Sequence, residues 1–162
     1  MTALRTLRFA LRRPLRDDLA LYCRLYTNED TMRHVAPAWS QAQAEASFAK
    51  VLAADGEARF RYRLWVVVPH GGEPAGLLAL TGDAARAELG MMVLPEWRGR
   101  GMAQEVVPCV AAYAFATLGI GNVATRHVPS NVAGARVMEA LGFRPEPRTE
   151  DGWEAWSLSR PG

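Results

Sequence analysis

The clearest chemical signal in the sequence is a glycine-spaced turn that carries two arginines. It follows an apolar run that ends at Pro95, and a long helical pattern begins there. Glycine lets a backbone approach a ligand closely, and the first N–H groups of a helix have no intrahelical partner, so such a turn suits a phosphate. The alternative is an ordinary strand-to-helix connection. We expect a pyrophosphate on the turn residues, which are Arg98, Gly99, Arg100, Gly101, Met102 and Ala103.

Size and composition favour one soluble domain. The chain has 162 residues, of which 49% are hydrophobic and 22% charged, and its net charge of +2 is too small to indicate nucleic-acid binding. Cys23 and Cys109 show no metal-ligand or disulfide spacing. The N-terminal segment has no signal-peptide pattern, and no run approaches the ~20 apolar residues of a membrane span. These features predict a cytoplasmic protein without a metal.

Hydrophobic periodicity predicts a single α/β domain over residues 1–162, in the order β-α-α-β-β-β-α-β-α-β-β. The predicted strands are Thr6–Arg13, Arg59–Pro69, Ala75–Thr81, Ala87–Leu94, Asn122–Val128 and a hairpin of Arg144–Glu150 with Trp153–Leu158 around Asp151-Gly152. The predicted helices begin near Asp17, run from a Ser40/Gln43 capping box to Asp55-Gly56, span Gly99–Leu118 with a kink at Pro108, and span Asn131–Leu141.

Three segments resemble one protein family when they are taken together. Arg98–Ala103 is similar to the [Gln/Arg]-x-x-Gly-x-[Gly/Ala] acetyl-CoA turn of the GNAT N-acetyltransferases, and Ala87–Pro95 is similar to the strand before it. Asn131 followed by Arg136–Phe143 resembles the family's later "N…R-V-x-E-x-L-G-F" segment. The branch that these segments resemble most contains the ribosomal-protein N-terminal acetyltransferases.

The resemblance implies both a fold and an activity. The fold would be the single-domain GNAT acyl-CoA N-acyltransferase fold, an α/β (α+β) arrangement. Its mixed, mostly antiparallel sheet would be splayed between the fourth and fifth strands and flanked by helices. The activity would be direct transfer of an acetyl group from acetyl-CoA to a primary amine, either a protein N-terminus or a small molecule. Neither nucleic acid nor membrane is an expected partner, and a homodimer is compatible with the sequence. The alternative is an inactive CoA-binding sensor or partner module.

The resemblance also assigns cofactor contacts. The backbone groups of Met92 and Val93 would bind the pantetheine arm where the strands splay, because an unpaired strand edge is open to such pairing. Asn131 would contact the cofactor, cap the following helix, or do both. Arg136 is either a surface arginine or a partner of the ribose phosphate.

The catalytic residues are less fully assigned. Glu88 is the expected base, acting through water, and the alternative is a solvent-facing glutamate paired with an arginine such as Arg86. No general acid is evident, because Gly134 stands where some relatives carry a serine, and His127 is more typical of a structural histidine. The acceptor wall is expected between the first helices, although the same residues also suit loop packing; they are Met32, Arg33, His34 and Trp39.

Overall fold

The strands of the computed structural model, which describes residues 3–54 and 61–162, form one sheet. In chain order they are β1 (Leu4–Arg5), β2 (Phe9–Arg12), β3 (Tyr62–Pro69), β4 (Gly76–Gly82), β5 (Arg86–Val93), β6 (Asn122–His127), β7 (Arg144–Pro145) and β8 (Glu154–Ser159). They are arranged as β1-β2-β3-β4-β5-β6-β8-β7. Neighbouring strands are antiparallel except β5 and β6, which are parallel. The predicted mixed, mostly antiparallel sheet is therefore confirmed.

Helices cover both faces of this sheet. They are α1 (Leu19–Tyr26), α2 (Glu29–Met32), α3 (Gln41–Ala54), α4 (Met102–Ala116) and α5 (Val132–Ala140). One core lies beneath α4 and includes Trp65 and Val67, whereas a second core, with α1 and α3, includes Leu64 and Val66. Consecutive residues of β3 thus point into opposite cores, so this strand is buried on both faces.

Several local predictions are confirmed in atomic detail. Ser40 and Gln43 form the expected capping box, with the Gln43 N–H 3.2 Å from Ser40 Oγ and the Ser40 N–H 2.8 Å from Gln43 Oε1. The hairpin around Asp151-Gly152 is present, although β7 is shorter than predicted. The predicted end of α3 near Asp55-Gly56 and the predicted strand start at Arg59 lie outside the described residues.

Two predicted elements have different bounds. Thr6–Arg13 is not one strand, because the chain turns between β1 and β2, where the Thr6 N–H donates to the Phe9 carbonyl at 2.8 Å. Helix α4 begins at Met102 rather than at Gly99, because Gly99 and Gly101 have positive φ angles of 69° and 74° that a right-handed helix excludes. It then continues through Pro108 to Ala116.

The sheet opens at its parallel pair. The bridges between β5 and β6 join only residues 86–88 to residues 122–124, so the two strands separate beyond Glu88 and Ala124. We call this space the wedge. The wedge is the splay that was expected between the fourth and fifth predicted strands. These strands are β5 and β6 in the structure, because the first predicted strand consists of two strands, β1 and β2.

Candidate active site

The register of β5 decides which backbone groups face the wedge. Leu94 donates its N–H to the Ala75 carbonyl at 2.9 Å, and Asp83 donates to the Arg86 carbonyl at 3.0 Å. Even-numbered residues of β5 therefore direct their N–H and C=O groups toward β4, because these groups alternate sides along a strand. Met92 is one of them. The backbone groups of Met91 and Val93 point the other way, into the wedge, so Val93 has the expected orientation whereas Met92 does not.

The turn between β5 and α4 presents unpaired N–H groups. In the described part of the chain, the backbone N–H groups of residues 99–101 donate to no acceptor. Those at the start of α4 have no intrahelical acceptor and carry the positive end of the helix dipole. A Cβ built on Gly99 would meet nothing within 4 Å, so the missing side chain leaves open space over the turn. This cradle fits a phosphate group.

The two arginines of the turn have different environments. The Arg100 guanidinium lies 5.0 Å from the centre of the Trp97 ring and makes no ion pair with any described residue. Arg98 binds α2, with Nη1 2.6 Å from Asp30 Oδ2 and Nη2 2.9 Å from Thr31 Oγ1. The hydrogen bond from Arg98, together with the charge of Arg33, lowers the pKa of Asp30. Arg98 therefore links the turn to α2, and Arg100 is the arginine available to an anion.

Glu88 lies where the wedge begins. Its Oε2 accepts a hydrogen bond from Arg126 Nε at 3.0 Å, and 47% of its side chain is exposed. Its Oε1 meets no donor among residues 3–54 and 61–162. Arg126 also contacts Asp151 and stacks over the Trp153 ring. The predicted alternative partner, Arg86, instead pairs with Glu146 at 2.7 Å. Glu88 thus offers one carboxylate oxygen to solvent while an arginine holds the other.

The start of α5 packs tightly against the end of β6. Asn131 caps the helix by accepting the Gly134 N–H at 3.1 Å, so its capping role is confirmed. A Cβ on Gly134 would lie 2.8 Å from Asn131 Nδ2 and 2.9 Å from His127 Cδ2. The serine of some relatives therefore does not fit here unless its neighbours move. On the same helix, Arg136 is exposed and forms no ion pair with the other described residues.

His127 is held neutral by its surroundings. It is 8% exposed, and its Nδ1 has no hydrogen-bond partner in the described structure. Desolvation lowers its pKa, and the charge of Glu154, its cross-strand neighbour, opposes this only in part. The ring packs beneath Gly134, which agrees with the structural role that the sequence favoured.

A cavity of about 540 Å³ lies beside Val128, the residue that follows β6. The segment from α2 to α3 forms most of its wall, and the residues are Glu29, Arg33, His34, Val35, Ala36, Pro37, Ala38 and Val128. Ser130 Oγ lies 3.4 Å from His34 Nδ1, so the wall is joined to the β6–α5 loop. Arg33 and His34 of the expected acceptor wall line this cavity. Met32 and Trp39 pack in the core instead: Met32 is buried, and Trp39 stacks on Tyr26.

Three side chains at the site could not be identified from the sequence. Arg8 and Glu105 meet behind the turn, although 97 residues separate them in the chain. Arg126 reaches Glu88 from the neighbouring strand. The sequence pattern around Arg8 gives no sign of a partner on α4.

Comparison with known proteins identifies the family. The family model described as "Acetyltransferase (GNAT) domain" matches residues 8–144. The chain belongs to the GNAT acetyltransferase family. Family membership supports an acyltransferase activity, and it confirms the resemblance found in the turn and its flanking segments. The narrower resemblance, to the ribosomal-protein branch, stays a prediction.

Individual relatives agree with this assignment. The uncharacterized N-acetyltransferase YoaA of Bacillus subtilis (strain 168) is 34% identical over 71 residues, which is 44% of this chain and 40% of that protein. A spermidine N-acetyltransferase from Vibrio cholerae, solved with CoA and spermine, superimposes with a TM-score of 0.83 at 20% identity and covers 94% of this chain and 96% of that one. RimJ from Mycobacterium smegmatis, solved with CoA-disulfide, gives 0.82 at 18%, covering 98% and 87%. At these identities, the solved structures establish the GNAT fold.

The described residues of the GNAT domain contain neither a metal-binding cluster nor a membrane-spanning helix. Residues 3–54 and 61–162 contain no group of three or more His, Cys, Asp or Glu side chains placed to hold a metal ion. None of the helices in the same residues combines the length and apolar character that a bilayer crossing requires.

Proposed function

We propose that this GNAT protein transfers an acetyl group from acetyl-CoA to a primary amine of low positive charge. The observation that carries the proposal is the set of unpaired N–H groups on residues 99–103 at the mouth of an open wedge. The turn suits a diphosphate, and the separated strand edge suits the amide groups of a pantetheine arm. The CoA and CoA-disulfide in the two solved neighbours support the same ligand.

Specific residues would hold the cofactor. The backbone of residues 99–103 would bind the diphosphate, and Arg100 would add a charged donor. Met91 and Val93 would pair with the pantetheine arm through their free backbone groups. Asn131 and Arg136, at the start of α5, would contact the rest of the cofactor. The bound cofactor would supply a thioester carbonyl for a neutral amine, and cleavage of the carbon–sulfur bond would release coenzyme A as its thiolate.

Glu88 would prepare the amine for this attack. An alkylammonium has a pKa of ~10.4 and an α-ammonium ~8, so an acceptor arrives mostly protonated at neutral pH. The free Oε1 of Glu88 can accept that proton through a water molecule. Arg126 holds the other oxygen and fixes the carboxylate where the wedge begins.

The cavity beside Val128 would receive the acceptor, because its volume of about 540 Å³ falls in the range of small-molecule sites. Its charged lining consists of the acidic Glu29 and the basic Arg33, with His34 beside them. This balance favours an amine such as a peptide N-terminus or an amino acid. A polyamine would need a more acidic site, so the spermine of the Vibrio cholerae enzyme does not extend to this chain.

The proposal is tested by binding and then by turnover. We expect acetyl-CoA to raise the melting temperature in a thermal-shift screen while ATP and NAD leave it unchanged. Release of free thiol should then depend on an amine, with peptides preferred over spermidine. Binding without thiol release across the amine panel would favour the alternative, a CoA-binding sensor. Absence of binding would refute both functions.

We further propose that the protein is located in the cytoplasm. We also propose that it forms a homodimer, which sedimentation of the purified protein would test.

A further inference from the structure

The guanidinium of Arg8 is fixed behind the turn that faces the diphosphate. Arg8 lies just before β2, and its Nη1 is 2.9 Å from the Arg100 carbonyl oxygen. Its Nη2 is 3.3 Å from the Gly101 carbonyl oxygen. One side chain thus binds two successive carbonyls of the glycine-spaced turn.

These contacts set the direction of the N–H groups. In a planar trans peptide, the C=O of one residue and the N–H of the next point in opposite directions. When Arg8 holds the carbonyls of Arg100 and Gly101, the N–H groups of Gly101 and Met102 must point away from Arg8. The turn has glycines with positive φ at both Gly99 and Gly101, so its peptide planes have more rotational freedom than those of other residues.

Glu105, in the first turns of α4, holds Arg8 in place. Its Oε2 lies 2.6 Å from Arg8 Nε, and its Oε1 accepts from both the Arg8 N–H and Thr6 Oγ1, each at 2.6 Å. Burial acts to raise the pKa of Glu105, but the hydrogen bonds from Thr6 and Arg8 outweigh it and lower that pKa. The carboxylate therefore stays charged at neutral pH. We call Thr6, Arg8 and Glu105 the Arg8 clamp.

We infer that Arg8 is a positioning residue for coenzyme A. It binds the carbonyl side of the turn and thereby directs the turn's N–H groups, on the other side, toward the diphosphate. This inference rests on the proposed function, because it requires that the turn bind CoA. A residue that fixes the donors before the ligand arrives lowers the ordering cost of binding. The effect should be confined to ligands that carry the diphosphate.

Arg8→Gln tests the role directly, and Arg5→Gln is the matched control because Arg5 is an exposed arginine on the adjacent β1. We expect Arg8→Gln to weaken CoA binding at least tenfold by calorimetry, and Arg5→Gln to change it less than twofold. With S-acetylpantetheine, which lacks the diphosphate, kcat/KM should be equal in Arg8→Gln and wild type. Equal CoA affinity in the two variants would overturn the inference.

Glu105→Gln and Arg8→Lys separate positioning from simple charge attraction, and they remain informative if Arg8→Gln does not fold. Glu105→Gln makes the site more positive, so charge attraction alone predicts tighter CoA binding, whereas loss of the clamp predicts weaker binding. Arg8→Lys keeps the charge but cannot bind two carbonyls and a carboxylate together. We expect both variants to bind CoA several-fold more weakly. Wild-type CoA affinity in both variants would refute only the role of Arg8. A wild-type protein that does not bind CoA would refute the proposed function as well.

Discussion

Replacing Glu88 by glutamine distinguishes a catalytic base from a surface ion pair. The Glu88–Arg126 pair spans 3.0 Å with side chains 47% and 39% exposed, and exposed pairs of this kind stabilise a protein by about 0.2–1 kcal/mol. For a domain of this size, 1 kcal/mol corresponds to roughly 2–4 °C in melting temperature. Glu88→Gln should therefore shift the melting temperature by less than about 4 °C.

The effect of Glu88→Gln on turnover should be much larger. A positioned base typically contributes about 10²–10⁴-fold, so we expect kcat to fall about 100-fold while the Kd for CoA is unchanged. The loss should be greater for an alkylamine than for an α-amine, because the α-ammonium loses its proton more readily. In the variant, turnover should rise about tenfold per pH unit until the amine itself is deprotonated.

Arg126→Gln provides the matched control for this experiment. It breaks the same ion pair but leaves the Glu88 carboxylate in place, so its melting temperature should resemble that of Glu88→Gln and its kcat should stay within a few-fold of wild type. Initial rates of thiol release with a fixed amine over a range of pH measure both variants. An equal fall of kcat in both variants, or no fall in Glu88→Gln, would refute the assignment of Glu88 as the base.

Three other perturbations test the supporting structure. His127→Gln should remove a pH dependence of stability. Burial lowers the pKa of His127 in the folded protein, so below the ordinary histidine pKa of ~6.5 the unfolded chain binds more protons than the folded protein. The stability of the wild type should therefore fall as the pH drops from about 7 toward 5.5. Urea unfolding at the two pH values measures this. Gly134→Ala places a Cβ 2.8 Å from Asn131 Nδ2, so overpacking should cost about 1–3 kcal/mol in the free energy of unfolding. Asp30→Asn removes the ion pair that helps to hold Arg98 against α2, and steady-state kinetics should show a few-fold rise in the KM of the amine, with the Kd for CoA unchanged.

Each of these perturbations has an outcome that would contradict it. A wild-type stability that does not fall between about pH 7 and 5.5, or an equal fall in His127→Gln, would mean that His127 is not held neutral by folding. Gly90→Ala is the control for Gly134→Ala, because its Cβ meets nothing within 4 Å, and equal stability of the two variants would remove the steric account. A changed CoA affinity in Asp30→Asn, with the amine KM constant, would argue that Arg98 serves the phosphate.

Local signals in the sequence predicted much of the fold. The Ser40 capping box, the Asn131 cap and the Asp151-Gly152 hairpin each depend on residues a few positions apart, so the sequence contains all of their partners. The long helix and the glycine turn were also recognisable, because glycine spacing and helical periodicity are local patterns. The break between β1 and β2 was missed, since the alternation of apolar residues continues across the turn that Thr6 closes.

The details of the site depend on contacts between distant segments, which the sequence does not encode locally. The choice between Met91 and Met92 follows from the pairing of β5 with β4, and a shift of one residue reverses every backbone direction. Arg126 reaches Glu88 only because β6 lies beside β5 in parallel. In the Arg8 clamp, Arg8 and Glu105 are 97 residues apart in the chain, so no sequence periodicity could reveal their contact.

The central claim is that main-chain N–H groups of the glycine turn bind the diphosphate of coenzyme A. Titration of nitrogen-15-labelled protein with CoA, followed through its amide resonances, tests this most directly. We predict that the largest shifts fall on Gly99, Gly101 and Met102, and that pantetheine, which lacks the diphosphate, leaves these three resonances in place. Saturable CoA binding that shifts other amides and spares this turn would contradict the account.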